Sequence, residues 1–156
     1  MFFMDIQSDF KLIISESVTC FFSSIQQTEE FGVEMGGILV GQFCSSNEIL
    51  LTDVTTPQKL DKKTSNRFVR FENGHQEIMD ALWEESEHKK FYLGEWHTHN
   101  QSSPSPSYVD VKNWKTISNR NHESERLFFI IVGKNEVKAW FVLNQAVAQM
   151  EAFNPL

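Results

Sequence analysis

The run Leu127-Phe128-Phe129-Ile130-Ile131-Val132, closed by Gly133, leaves this chain few folds to choose from. Side chains of a strand alternate between its two faces, so a strand without a polar position has no side for solvent. It must lie inside a sheet, with other elements packed above and below it. The remaining sequence supplies those elements. Val18, Phe21, Phe22 and Ile25 recur at three and four residues and predict a helix capped near Ser15 and running to about Gln27. Asn73-Gly74-His75-Gln76 offers a cap to a second helix, with Ile78, Met79, Leu82 and Trp83 on one side and Glu77, Asp80, Glu84, Glu85 and Glu87 on a solvated face. A third helix from Ser107 to about Asn119 would bury Val111, Trp114 and Ile117. Residues 37–43 and 48–55 read as strands joined by the turn 44–47, with Pro57 ending the second. Further strands are expected at 10–14, 68–71, 91–96 and 137–143, whereas 145–156 has no assignment. Strands and helices alternate without a strict βαβ rhythm, which predicts an α/β chain of the α+β kind, a mixed sheet flanked by helices.

A chain of 156 residues suits one domain, taken as 1–156, and is too short for a (β/α)8 barrel of about 250 residues. With 40% hydrophobic residues, 14 Phe and 4 Trp, disorder is excluded. The net charge of -7 and the lack of any Lys/Arg run beyond a pair argue against direct nucleic-acid binding. Met1-Phe2-Phe3-Met4 is apolar, but Asp5 interrupts it and no basic region precedes it, so neither a signal peptide nor a membrane span is expected. Cys20 and Cys44 form no Cys-x-x-Cys motif and are expected to be buried, reduced thiols, which fits a cytoplasmic setting.

The chemistry is concentrated between Glu95 and Asp110, where His97-x-His99 is followed after seven residues by Ser107-x-x-Asp110. If the segment entering His97 is a strand, its period of two puts both imidazoles on one face and Thr98 on the other. Asp110, in the first turn of the following helix, can reach back to them. Two nitrogens and one oxygen, with a fourth place for water, make the ligand set of a catalytic zinc site. The plain alternatives are two half-buried histidines and an ordinary capping box, in which Ser107 bonds a free amide of the first turn. Glu95 shares the face of His97 and could orient an imidazole N–H or simply lie at the surface. His75, His88 and His122 stand outside this pattern and are not assigned to metal. Upstream, Glu34-Met35-Gly36-Gly37 places a carboxylate before a glycine pair, which lets one backbone pass close to another.

Taken together, Glu34, His97, His99, Ser107 and Asp110 resemble the signature of the JAMM (MPN+) metalloprotease family, a glutamate followed by His-x-His-x7-Ser-x2-Asp. The resemblance runs from about Glu34 to Trp140 and is strongest to stand-alone bacterial members, including the deconjugating protease of CBASS anti-phage operons. One departure is Asn100, where many relatives have proline. The resemblance implies a curved, mostly antiparallel sheet with helices on each side, layered as in cytidine deaminases. It implies one Zn2+ per chain on His97, His99 and Asp110, Glu34 as general base, and Ser107 as donor to the developing oxyanion. The implied activity is that of an isopeptidase cutting after the C-terminus of a ubiquitin-like or conjugated protein. In the CBASS version the conjugated protein is a cyclic-nucleotide synthase, with ubiquitin-activating-like and ubiquitin-conjugating-like enzymes as further partners and no nucleic acid or membrane. The alternatives are processing of a sulfur-carrier precursor and a metal-free scaffold. In relatives the region matching the polar segment 57–67 helps to hold the substrate tail, a role open to Lys62, Lys63 and Arg67; otherwise the segment is a solvated, mobile connector.

Overall fold

The computed structural model describes residues 1–28, 32–64 and 67–154. Glu29 and Glu30, expected as solvated charges, lie outside the described residues. In chain order the elements are β1 (Phe2–Asp5), β2 (Phe10–Ile14), α1 (Glu16–Gln26), β3 (Gly36–Ser45), β4 (Glu48–Val54), β5 (Lys62–Lys63), β6 (Phe68–Val69), α2 (Glu72–Glu85), β7 (Phe91–Thr98), α3 (Tyr108–Ser118), β8 (Leu127–Val132), β9 (Val137–Leu143), β10 (Ala146–Gln149) and β11 (Glu151–Phe153). Among the described residues nine strands form one sheet in the order β10-β9-β8-β7-β3-β4-β2-β1-β11. Its pairs are antiparallel except β2 with β4 and β7 with β8. No helix of the described residues is long and apolar enough to cross a membrane.

Strand β8 is buried at every position, as its composition demands. Phe128, Ile130 and Val132 face the core that α1 closes with Val18, Phe22 and Ile25. Leu127, Phe129 and Ile131 face the other way, onto Trp114 of α3. Helix α2 covers the same second face through Met79 against Ile38 and Val40. The sheet is thus clad by α1 on one side and by α2 and α3 on the other.

A bulge in β7 decides what that second face carries. The ladder with β3 pairs Leu39 with Gly94 and then Val40 with Tyr92, skipping Leu93. Gly94 sits at φ +138°, and a Cβ there would lie 1.8 Å from the Phe128 carbonyl oxygen, so only glycine fits. The extra residue shifts the alternation. Leu93 and Trp96 stay in the α1 core, while Tyr92 and Glu95, three residues apart, come within hydrogen-bond reach on the face of α2 and α3.

Several expectations change. Helix α1 starts as predicted, the Ser15 hydroxyl accepting the Val18 N–H. Helix α2 instead begins at Glu72, with Phe71 at the cap position and no side-chain cap bond, so the strand predicted at 68–71 shrinks to Phe68–Val69. Trp83, expected on the apolar side of α2, is 41% exposed and stacks on His88 at 3.6 Å. Cys20 and Cys44 are exposed, not buried. Cys20 lies off the Val18, Phe22, Ile25 face of α1, and Cys44 falls in the outer end of β3, where the core has stopped. The two chain ends are strands, with β10 on one edge of the sheet and β11 on the other. Met150, between them, donates to the Ala139 carbonyl at 2.9 Å, so the sheet curls until its edges approach.

Candidate metal centre

His97 and His99 leave β7 on the face of α2 and α3, and Asp110 comes to them from the first turn of α3. The gaps are 3.0 Å between the two Nε2 atoms, 3.3 Å from His97 Nε2 to Asp110 Oδ1 and 3.2 Å from His99 Nε2 to Asp110 Oδ2. A tetrahedral ion with bonds of about 2.0 to 2.1 Å holds its ligands about 3.3 Å apart, close to this spacing. Among the described residues these three are the group of candidate ligands close enough to share one ion. Each is partly exposed, between 13% and 18%, so solvent reaches all three.

The orientation of His99 is set by its other nitrogen. Gln101 Oε1 accepts the Ser105 N–H at 3.1 Å, which identifies that atom as the oxygen, and His99 Nδ1 lies 3.3 Å from it. Nδ1–H therefore donates there and leaves the Nε2 lone pair for a metal. Lys134 N–H also donates to the Gln101 carbonyl at 2.7 Å. The turn that lacks proline at Asn100 is held by these bonds instead.

Ser107 and Asp110 form a reciprocal capping box. The Ser107 hydroxyl accepts the Asp110 N–H at 3.1 Å, and the Ser107 N–H donates to Asp110 Oδ2 at 2.7 Å. The plain and the chemical readings of Ser107-x-x-Asp110 thus coincide. The cap aims the carboxylate at the histidines and engages a lone pair of Ser107, leaving its proton available to an outside acceptor. Burial pushes the Asp110 carboxyl up, but bonds to His97 and His99 and the Ser107 amide outweigh this and hold it well below the usual range. His99 is raised: burial opposes its charge, and Asp110 more than compensates.

Glu34 is 9% exposed and within electrostatic reach of all three. Burial raises its carboxyl above the ordinary value, the two histidines pull it part of the way back, and Asp110 pushes it up again. Its N–H donates to the Thr64 carbonyl at 2.8 Å. The glycines after it explain how β3 fits. A Cβ on Gly36 would lie 2.6 Å from the Trp96 carbonyl oxygen, and one on Gly37 would lie 2.1 Å from that of Thr55.

Other residues behave differently from expectation. Glu95 does not orient an imidazole; its Oε1 takes two bonds from Arg70, at 2.6 and 2.9 Å, and lies 3.4 Å from the Tyr92 hydroxyl. Lys62 and Lys63 are exposed on the β5–β6 hairpin, where the connector 57–67 was expected to be irregular. No residue spacing pointed to a buried chain in which Thr55 Oγ1 meets His75 Nδ1 at 2.6 Å and His75 Nε2 meets Asp61 Oδ2 at 2.6 Å.

A curved mixed sheet that brings two histidines, an aspartate and a buried glutamate together at the end of an interior strand has the arrangement of the JAMM class of domain. Residues 24–143 match the model of the prokaryotic homologs of the JAB domain, and the chain belongs to that family. It is 30% identical over 145 residues, 93% of this chain and 90% of the other, to a CD-NTase/cGAS isopeptidase of Pseudomonas aeruginosa. A second CD-NTase/cGAS isopeptidase, from Vibrio cholerae, is 30% identical over 131 residues, 83% of this chain and 81% of its own. The solution structure of a Desulfitobacterium hafniense protein superposes with a TM-score of 0.62 at 15% identity over 88% of each chain, a likeness of fold.

Proposed function

We propose that this protein is a zinc-dependent isopeptidase that cuts the amide after the C-terminus of a conjugated cyclic-nucleotide synthase and so reverses the conjugation in a CBASS system. The observation that carries the reading is the convergence of His97, His99 and Asp110 within 4.8 Å of one another, beside a buried Glu34. The names of the relatives support the substrate class.

Zinc held by His97, His99 and Asp110 would act as a Lewis acid toward the scissile carbonyl and acidify a nearby water. The chain's own groups do the rest. Glu34 accepts a proton from the attacking water, a task suited to a carboxyl raised by burial. The same carboxyl then delivers that proton to the departing amine nitrogen, which leaves poorly as an anion. Ser107, its lone pair engaged by the Asp110 N–H, donates its hydroxyl proton to the carbonyl oxygen as that oxygen gains charge. Asp110 stays anionic and keeps both imidazoles turned inward. The β5–β6 hairpin, tied to Glu34 through Thr64, presents Lys62 and Lys63 to an extended tail.

The test is to incubate the zinc-loaded protein with a synthase joined through its C-terminal carboxyl to a lysine of a carrier protein. Release of the intact synthase, blocked by a chelator, is expected. No release, with zinc bound at one per chain, would sink the proposal.

A further inference from the structure

We infer that Thr98, the residue between the two histidines, is the positioning residue that fixes Glu34 relative to the metal ligands. The inference rests on the reading of Glu34 as the base. Thr98 is fully buried and points away from the imidazoles, so it cannot be a ligand. Its hydroxyl oxygen accepts the Met35 N–H at 2.9 Å, and its own N–H donates to the Met35 carbonyl at 2.8 Å. These two bonds close a ring between β7 and the residue next to Glu34. The β3–β7 ladder itself stops one step earlier, at Gly36 with His97.

A strand that begins with Gly36 and Gly37 has little torsional stiffness of its own, since glycine restricts neither φ nor ψ. The direction of Glu34 must therefore be set from outside. Thr64 holds its amide on one side and Thr98 holds its neighbour on the other. One strand position thus serves two partners. Its flanking residues offer the ligands on one face, and its hydroxyl locates the base from the other. Valine would pack equally well in a buried strand position, so the hydroxyl needs a reason to be there.

The experiment compares Thr98→Val with Thr98→Ser. Thr98→Val keeps the shape and removes the acceptor; Thr98→Ser loses a methyl and keeps it. Thr98→Val is expected to lower kcat at least tenfold with KM and zinc affinity within about twofold, and Thr98→Ser to recover most of the loss. Independently of any substrate, hydrogen exchange at the Met35 amide should quicken at least tenfold in Thr98→Val and stay unchanged in Thr98→Ser. Unchanged exchange and unchanged kcat in Thr98→Val, or equal damage in both variants, would overturn the inference. If Thr98→Val does not fold, Thr98→Ala against Thr98→Ser makes the same comparison. A wild-type protein that cleaves nothing counts against the proposed function, while the exchange measurement still judges Thr98.

Discussion

Glu34 is buried and surrounded by groups that respond to its charge, so a change that keeps its shape isolates its proton. Glu34→Gln should bind zinc at the same stoichiometry and lose about 10² to 10⁴ in kcat, the range for a positioned acid–base group. Metal analysis beside a cleavage assay checks this, and normal turnover would remove Glu34 as the base. Ser107 caps α3, and the proposed reaction gives it a second task of a different size. Its loss as a cap costs about 1 kcal/mol of stability, whereas its loss as an oxyanion donor costs about 2.7 to 4 kcal/mol in the barrier. Ser107→Ala should therefore lower kcat about 10² to 10³ with only a small drop in urea midpoint. A rate loss no larger than the stability loss would leave Ser107 as a cap alone. At this scale the convergence of His97 and His99 was readable because a strand's period of two separates them from Thr98. The nearness of Glu34 to them was readable only through the motif, since nothing local ties it to residues more than sixty positions away. Thr55, His75 and Asp61 were not readable, because their meeting is made by tertiary packing.

The excursion from Gln58 to Phe71 shows how one side chain can hold an element in place. Asp61 accepts the Gln58 N–H at 2.7 Å and the Phe71 N–H at 2.8 Å, and its other tie is His75, which reaches Thr55 of the sheet. The hairpin that contacts Glu34 and Gly36 hangs from this carboxylate. Burial pushes Asp61 up, but the two amides and His75 outweigh it, so its folded value lies below the ordinary one. A depressed carboxyl stabilises the fold above its unfolded value of about 3.9, and that contribution is lost as pH falls through the folded value. Asp61→Asn should cost about 1 to 3 kcal/mol near neutrality, with the gap to wild type narrowing below about pH 3.5. Urea unfolding across that range checks the sign; a constant gap would mean that the charge of Asp61 contributes nothing. The polar composition of 57–67 concealed this hairpin, because charged surface residues are compatible with loop and edge strand alike. By contrast β8 and β9 were legible to the residue, since their burial leaves the pattern no other meaning.

Across the whole molecule the three candidate ligands join a strand of the sheet to a helix that covers it. His97 lies near the end of a central strand with His99 just beyond it, and Asp110 belongs to a helix whose packing rests on Trp114 with the half-buried Val111 and Ile117. Tyr108 and Val109, the first residues of that helix, are 81% and 52% exposed, and the polar contacts of its first turn with the sheet run from Asp110 to His97 and His99. At the far side the sheet closes on itself at Met150, so a single sheet carries the large cluster under α1 on one face and the smaller clusters under α2 and α3 on the other. We propose that the chain is a single domain and unfolds in one transition. An ion that binds only the folded protein stabilises it by about 4.1 kcal/mol at a thousandfold excess over its dissociation constant. For a chain of this size each kcal/mol moves the midpoint by about 2 to 4 °C, so zinc removal by a chelator should lower Tm by about 8 to 16 °C. Asp110→Ala should have the lower Tm from the start and show no further shift with chelator, because the clamp between β7 and α3 is already gone. A wild-type Tm indifferent to chelator, measured with and without zinc added back, would mean that His97, His99 and Asp110 hold no ion that matters to the fold.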